Sequence, residues 1–472
     1  MIEVREIKLL KNFIYNISYQ ILTLILPLIT APYLSRVLGV EGIGEYSFTY
    51  ANTQYFVLFG MLGITMYGSK CIAQSNLDSK KVEKTFWQIY FLQFIFCLIS
   101  YLLFIATLGV KSSLYFAQSF LVLAALFDIS WLYIGIENFK KVVIRNTLIK
   151  VIGISLIFIL VKNSEDLVLY AYILSLSMLI GQISMWIDFG KSIKFVKPNR
   201  DDIIKHLKPT LLLFLPQIAS SVYVLLDRTM LGVMNTSADV GVYEQGQKII
   251  RLAVTLIGAI SSVMMPRIAN MMVTSDEKTM KRVIEKSALF ISVISFGLTF
   301  GIVGVAKNFV PWFFGEDFQE VTTVFYYSAW IIIAIGGANV FAIQYLIPTN
   351  QQNKYTISVC IAAVVNIVLN FILLPRYSYI GASIATVAAE FTGVFIQMYF
   401  VKNQINMKEI LSKIPYIFIC ALIMYLVINI IGDLLPNTIL TTFIQVMVGG
   451  IIYIVLLFVS KTIKITDIKL SV

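Results

Sequence analysis

Residues 439–460 read ILTTFIQVMVGGIIYIVLLFVS, a run without a single charged side chain. Because about 20 apolar residues in an α-helix cross the roughly 30 Å hydrocarbon core of a bilayer, this stretch predicts a transmembrane helix. The chain of 472 residues has a matching composition, with 58% hydrophobic and 13% charged residues, whereas soluble proteins carry about 25% charged residues. The sequence therefore predicts an all-α polytopic membrane protein and excludes a soluble enzyme or a nucleic-acid-binding domain.

Fourteen apolar runs of this kind follow one another along the chain, separated by charged or Gly/Pro-rich breaks. Each is long enough to span a bilayer, and an even number of spans places both termini on the same side. The predicted spans are 13–35, 46–69, 86–108, 114–136, 142–161, 167–189, 209–233, 242–266, 287–306, 321–347, 355–375, 380–401, 412–432 and 439–460.

The positive charges are distributed unevenly between the two sides. Connectors on the side of the termini hold 26 of the 37 Lys and Arg residues, the opposite connectors hold 5, and 6 lie within spans. Because cytoplasmic loops of membrane proteins carry the excess of Lys and Arg, both termini are expected in the cytoplasm. The net charge of +11 is thus an orientation signal rather than a sign of nucleic-acid binding.

Cysteine and histidine usage gives no sign of a metal, a cofactor or a catalytic triad. The four cysteines are scattered through apolar segments without metal-binding spacing. The single histidine, His206, lies in a Lys-rich connector, where we expect a solvated side chain. The outward connectors are short, so a glycan polymerase or another membrane enzyme is disfavoured, and transport is the predicted activity.

An internal repeat relates the first span to the seventh. Leu34-Ser35-Arg36 is followed by Leu38-Gly39, and Leu226-Asp227-Arg228 is followed by Leu231-Gly232. Six spans separate the two segments, so they run in the same direction and predict a parallel repeat of two six-helix lobes, with a site between them. The predicted domains are an N-lobe over 1–189, a basic cytoplasmic linker over 190–208, a C-lobe over 209–402, and two further helices with a tail over 403–472.

Several motifs, spread over essentially the whole length of the chain, resemble those of one family and occur in the same order. They are Pro32-Tyr33-Leu34-Ser35-Arg36, Gly42-Ile43-Gly44, Asp128-Ile129-Ser130-Trp131-Leu132-Tyr133, Asn366 to Asn370, Leu374-Pro375 and Gly381-Ala382-Ser383. The sequence resembles the Wzx-type flippases of the multidrug/oligosaccharidyl-lipid/polysaccharide exporter superfamily. That resemblance implies export of undecaprenyl-pyrophosphate-linked oligosaccharide from the inner to the outer leaflet of the bacterial cytoplasmic membrane, by alternating access. It also implies a role in capsule or exopolysaccharide biosynthesis, with a polysaccharide polymerase and glycosyltransferases as partners.

Charged residues inside spans are costly and are candidates for function. Four cations fall at a similar outward depth and predict a cationic cavity for the pyrophosphate, which the planar fork of arginine fits well. The alternative is that the arginines extend to lipid headgroups or pair with Asp227, Glu45 and Glu244. The four candidate substrate-binding residues are Arg36, Arg228, Lys248 and Arg251.

Three acidic residues and one lysine within spans form a second group, with candidate roles in coupling or gating. Asp128 and Lys150 lie at matching depth if spans four and five form a hairpin, and an ion pair between them is the leading interpretation, ahead of gating. Glu390, midway in span twelve, is a candidate protonatable site, and Asp227 can neutralise one of the cations. Polar side chains that can line the cavity, or hydrogen-bond between helices, are Tyr19, Gln20, Asn52, Gln54, Gln217 and Tyr223.

The nearest rival function is a multidrug cation antiporter of the same superfamily. Span one carries no acidic residue that would bind sodium or a proton, and the charge within the spans is mainly cationic. A cationic drug would be repelled by that field, so the sequence favours the flippase.

Overall fold

The computed structural model describes residues 2–75, 78–187, 189, 193–274 and 277–462. Among helical residues, the side chains of 2–24, 139, 215–217, 219–220, 222–224, 272–274 and 277–278 lie outside this description. Four predicted cavity residues, Tyr19, Gln20, Gln217 and Tyr223, are in that group. The described residues form helices and turns, with no β-strand among them, which confirms the all-α prediction.

Fifteen helices are described. They are α1 Ile2–Met61, α2 Ile64–Gln74, α3 Ser79–Phe104, α4 Ser113–Leu126, α5 Ser130–Gly135, α6 Phe139–Leu160, α7 Leu167–Ser184, α8 Arg200–Met234, α9 Ser237–Thr274, α10 Glu277–Phe314, α11 Val321–Ser328, α12 Ile331–Ala338, α13 Gln352–Val401, α14 Met407–Leu434 and α15 Ile439–Val459. Short π-helical segments, Ile105–Gly109 and Asn339–Leu346, extend α3 and α12.

Ten helices in the described part of the chain are long and apolar enough to cross a membrane, or eleven if the bent segment Glu316–Leu346 forms one span. Two of the ten, Ile25–Gln74 and Gln352–Val401, have 50 residues each, or about 75 Å at 1.5 Å per residue. Each is more than twice the thickness of a bilayer core, so each contains two spans. Part of α8 has no described side chains, and the total of fourteen spans stays a prediction.

Helix α1 reverses direction at Gly39, where the backbone has φ 69° and ψ 179°. On one side of this residue the Tyr33 hydroxyl donates to the carbonyl oxygen of Val161. On the other side the ring of Tyr46 packs against Tyr170. Val161 and Tyr170 flank the short turn between α6 and α7, so both arms of α1 reach the same end of the bundle, as the sequence predicts for a hairpin there.

Replacing Gly39 with alanine is expected to lower the free energy of unfolding by about 1–3 kcal/mol. This combination of φ and ψ is essentially restricted to glycine, and a Cβ at Gly39 would meet no atom within 4 Å, so the cost is one of backbone conformation alone. Thermal unfolding in detergent measures the effect. A matched control is Gly258→Ala in α9, where a Cβ also meets no atom within 4 Å and helix propensity favours alanine. Equal stability of the two variants would contradict the assigned turn.

Helix α13 is likewise two antiparallel helices, joined at Ser378 with φ 45° and ψ −130°. The amide of Gln397 donates to the Ser358 hydroxyl at 3.0 Å, so residues far apart in sequence face each other across the hairpin. A Cβ on Gly381 would lie 2.7 Å from the backbone of Leu373, which shows how closely the arms approach. Small residues allow this packing in membranes, and the arms match the predicted spans 355–375 and 380–401.

The chain divides into two compact units, Met1–Thr229 and Met230–Val472. In the first, an aromatic cluster packs α2, α3 and α5 around Phe86 and Trp131, both fully buried. In the second, α10, α14 and α15 pack around Phe300, Ile428 and Tyr453. Large apolar side chains are exposed along the helices, including Leu440 at 65% and Phe443 at 62%. A surface of this kind suits lipid rather than water, and the protein is a multi-pass membrane protein.

Candidate functional site

Asp227 and Arg228 lie near the C-terminal end of α8 and are buried, with 3% and 8% of their surface exposed. The next side chain, Thr229, donates to Asn52 Oδ1 at 3.1 Å, and Asn52 Nδ2 donates to the Tyr115 hydroxyl at 2.8 Å. Asn52 therefore connects α1, α4 and α8. Of the two roles predicted for Asn52, hydrogen bonding between helices is the one seen in these contacts. The bonds position the part of α8 that carries Asp227 and Arg228.

Tyr55 lies on the same side of α1 as this hydrogen-bonded group. The Thr229 hydroxyl is 3.4 Å from the Tyr55 hydroxyl, and Tyr55 is close enough to Asp227 and Arg228 to interact with both charges. Buried opposite charges on adjacent residues, ringed by hydroxyl and amide groups, form a polar site within apolar helices. Charged side chains within a membrane are found in polar surroundings of this kind.

Arg36 lies at the end of the first arm of α1, three residues before Gly39, and its side chain is exposed. Its Nη1 donates to the carbonyl oxygen of Pro32 at 2.8 Å. This bond holds the guanidinium against its own helix.

In the second unit, Glu244, Lys248 and Arg251 follow one another at helical spacing along α9. Arg251 Nη2 donates to Glu244 Oε1 at 2.8 Å, with 38% of the arginine side chain and 9% of the glutamate side chain exposed. Lys248 lies between them in sequence and is half-buried. The sequence analysis gives pairing with Glu244 as one alternative for Arg251. The structure has this ion pair, and both residues belong to α9.

The four predicted cations are thus divided between the two units, with Arg36 and Arg228 in the first and Lys248 and Arg251 in the second. Within each unit an arginine has a carboxylate close by, Asp227 in one and Glu244 in the other. That all four cations line one cavity stays a prediction.

The predicted span 114–136 corresponds to Ser113–Gly135, which is long and apolar enough to cross a membrane, but its helix is interrupted. Helix α4 ends at Leu126 and α5 begins at Ser130, and Asp128 lies in the interruption between them. Its carboxylate accepts the backbone N–H of Ser130 at 2.8 Å. The predicted membrane depth of Asp128 is counted along an unbroken helix. Because the helix is broken at this residue, that count no longer places Asp128 at the same depth as Lys150.

Side chains from distant helices satisfy the carbonyl groups that this interruption releases. Gln93 Nε2 donates to the carbonyl oxygens of Ala125 and Asp128, each at 2.8 Å. Gln93 Oε1 accepts the indole N–H of Trp131 at 2.9 Å, and the indole N–H of Trp186 reaches the carbonyl oxygen of Phe127 at 2.9 Å. A broken helix is tolerated inside a membrane because such partners replace its own hydrogen bonds.

Lys150 and Glu390 are both half-buried. Lys150 lies in the middle of α6, and its ion pair with Asp128 stays a prediction. Glu390 lies on the second arm of α13, close enough to Tyr355 on the first arm for its charge to interact with that hydroxyl.

Two buried polar groups in the first unit are not identified by sequence reasoning. His206 is not solvated, since only 7% of its surface is exposed; it is 2.7 Å from the Tyr67 hydroxyl and 3.1 Å from Gln88 Oε1. Arg145, which lies within the predicted span 142–161, is 8% exposed and donates to Gln182 Oε1 at 3.0 Å. Both partners of His206 are more than a hundred residues away in sequence, so no local signal could have found this contact.

Electrostatics at the linker follow from these contacts. Burial, with a smaller effect of Lys205, lowers the pKa of His206 to about 4, so the imidazole is neutral at pH 7. Because Gln88 Oε1 can only accept, Nε2 carries the proton and Nδ1 accepts from Tyr67. Nearby, the hydrogen bond from Lys205 lowers the pKa of Asp202, and Lys84 lies 3.5 Å from the same carboxylate.

Comparison with known proteins relates this arrangement to one family. Residues 9–272 match the model of the polysaccharide biosynthesis protein family. The chain is 24% identical over 407 residues to a putative O-antigen transporter of Escherichia coli K12, covering 84% of this chain and 98% of that protein.

Two solved structures have the same fold. The inward closed structure of the lipid II flippase MurJ matches with a TM-score of 0.74 and 16% identity, over 94% of this chain and 98% of the other. An inward-facing multidrug resistance transporter of the MATE family matches with a TM-score of 0.62 and 15% identity, over 81% and 94%. Because flippases and drug transporters have this fold in common, the fold by itself does not separate the two functions.

Proposed function

The chain belongs to the polysaccharide biosynthesis protein family, and on that premise we propose that it is a flippase for lipid-linked glycans. The resemblance to Wzx-type flippases in the sequence is confirmed. The observation that carries the proposal is the match along nearly the whole length of the Escherichia coli putative O-antigen transporter. The matched proteins are transporters and flippases, which confirms the prediction that the chain is not an enzyme.

The finer proposal concerns the cargo and its direction. We infer that the cargo is an undecaprenyl-pyrophosphate-linked oligosaccharide, moved from the inner to the outer leaflet for capsule or exopolysaccharide synthesis. The arginines at positions 36, 228 and 251, together with Lys248, support this assignment, since a pyrophosphate is recognised by charge-assisted hydrogen bonds. Asp227 and Glu244 hold Arg228 and Arg251 in place between transport cycles, and the arriving diphosphate competes with these carboxylates for the two arginines.

Location and energy source follow from the same assignment. The excess of Lys and Arg on one side supports a multi-pass protein of the cytoplasmic membrane with both termini in the cytoplasm. An inside-negative potential then favours outward movement of an anion by about 2.3 kcal/mol per charge per 100 mV. A polysaccharide polymerase outside and glycosyltransferases inside are the partners that would consume and supply this substrate.

The leaflet distribution of lipid-linked oligosaccharide in cells depleted of the protein tests this function. Depletion is expected to leave the glycan on the cytoplasmic face, and the wild-type chain is expected to restore its appearance outside. An unchanged distribution together with altered efflux of cationic dyes would contradict the flippase and support a multidrug antiporter. The MATE-like fold is the observation that makes dye efflux the right comparison.

A further inference from the structure

A polar pocket of about 260 Å³ lies at one end of the second unit, where α10 and α14 begin and α15 ends. By the proposed orientation this end faces the cytoplasm. The pocket is separate from the Glu244–Arg251 pair and contains none of the predicted transport residues. Its charged lining consists of Arg282, Lys286, Lys413, Lys461, Glu285 and Glu409.

Helical spacing brings most of these charges to the pocket. Arg282 and Lys286 are four residues apart on α10, and Glu409 and Lys413 are four residues apart on α14, so each pair occupies one face of its helix. Glu285 lies between the two cations of α10, near enough to Glu409 for their charges to interact. The pocket is therefore a seam between two helix faces that carry charges of both signs.

Lys461 completes the pocket through an unusual helix end. The backbone of Lys461 has φ 54°, and its N–H bonds to Phe458 while that of Thr462 bonds to Leu457, at 3.0 and 3.1 Å. This is a Schellman motif, in which glycine normally occupies the left-handed position. A lysine there is strained relative to glycine because its Cβ disfavours a left-handed backbone, and an interaction of its ammonium group can offset that strain.

The balance of charge and the surroundings identify the ligand class. Four cations against two carboxylates leave a net charge of +2, so the pocket favours an anion. Leu289 and Ile410 form its apolar side, and the adjacent residues Phe290 and Leu411 are 41% and 44% exposed. An anionic head beside a lipid-facing apolar surface matches a phospholipid, because basic pockets between transmembrane helices on the cytoplasmic side bind phosphate headgroups.

We propose that this pocket binds the phosphate headgroup of an anionic phospholipid of the cytoplasmic leaflet, with the acyl chains lying along Phe290 and Leu411. The two carboxylates orient the surrounding cations and prevent a larger repulsion among them. The bound lipid links α10, α14 and α15, which meet in the apolar cluster around Phe300 and Tyr453. The site is distinct from the proposed cargo site, because its lining contains none of the predicted transport residues.

Native mass spectrometry of the purified full-length chain tests the proposal, with phosphatidylglycerol and phosphatidylcholine offered in equal amounts. Phosphatidylglycerol is expected to remain bound preferentially. The Lys413→Gln and Arg282→Gln variants are each expected to bind it about five-fold more weakly, and the double variant about 25-fold. The matched control is Lys408→Gln, which removes an exposed cation from the same first turns of α14 without touching the pocket, and it is expected to bind normally.

The competing outcomes are distinct. If Lys408→Gln weakens phosphatidylglycerol binding as much as the pocket variants do, the lipid is attracted to basic surface in general and the proposed site is wrong. Equal retention of phosphatidylcholine would overturn its charge selectivity. Binding of inorganic phosphate that fully displaces phosphatidylglycerol at equal concentration would assign the pocket to a free anion instead of a lipid. Each measurement uses protein without cargo, so its failure would leave the proposed flippase function intact, and thermal unfolding of every variant confirms that the fold is retained.

Discussion

Replacing Arg251 with glutamine is expected to reduce export of lipid-linked glycan at least tenfold while the protein remains in the membrane. A hydrogen bond to a charged group contributes about 1.5–3 kcal/mol, and 1.4 kcal/mol is a factor of ten in binding. Glutamine is polar but shorter, and it removes the charge and the planar fork that suit a pyrophosphate. Appearance of the glycan in the outer leaflet, divided by the amount of protein in the membrane, measures the effect.

The Glu244 partner allows a test that separates cargo binding from a structural ion pair. Arg251 Nη2 and Glu244 Oε1 are 2.8 Å apart, so Arg251→Gln leaves a carboxylate that is mostly buried without this cation. If neutralising Glu244 is the whole role of Arg251, the Glu244→Gln/Arg251→Gln double variant regains export, and the cargo hypothesis is wrong. If Arg251 binds the cargo, the double variant stays defective and Glu244→Gln alone retains export, because its arginine is still present.

Much of the helical framework could be predicted because its signals are local in the sequence. The run 439–460 corresponds to α15 over Ile439–Val459, since a charge-free segment ends where polar residues begin. The reversal at Gly39 is predicted by a short Leu-Gly segment between two apolar runs, and a glycine is the residue that such a backbone conformation requires. Within the site, the pairing of Arg251 with Glu244 follows from a spacing of seven residues, or two helical turns.

Features that depend on distant partners could not be predicted. The helix interruption at Asp128 contains no proline or glycine, so nothing in its own sequence announces it. It depends on Gln93 and Trp186, which lie 35 and 58 residues away from Asp128. The burial of His206 has the same origin, because Tyr67 and Gln88 shield it from across the bundle. A polar residue in a charged connector is predicted to be exposed, because its sequence neighbours do not reveal the distant side chains that bury it.

The interruption itself gives the second large prediction, which concerns stability. Gln93→Leu is expected to lower the free energy of unfolding by about 3 kcal/mol, at about 1 kcal/mol for each hydrogen bond lost. The lost bonds are those to the carbonyl oxygens of Ala125 and Asp128 and the one from the indole of Trp131. Gln93 is fully buried, so water cannot replace these partners, and thermal unfolding in detergent measures the change.

Trp186→Phe is the matched comparison, because it removes one hydrogen bond at the same interruption, from the indole to the carbonyl oxygen of Phe127. A phenyl ring takes the place of the indole that packs against Tyr90 and Phe189, so a loss of about 1 kcal/mol is expected from the missing hydrogen bond. The two variants should therefore differ about threefold in their effect on the free energy of unfolding. If Gln93→Leu unfolds no earlier than Trp186→Phe, the interruption is held by apolar packing around Phe86 and Trp131, and the hydrogen bonds of Gln93 do not stabilise it.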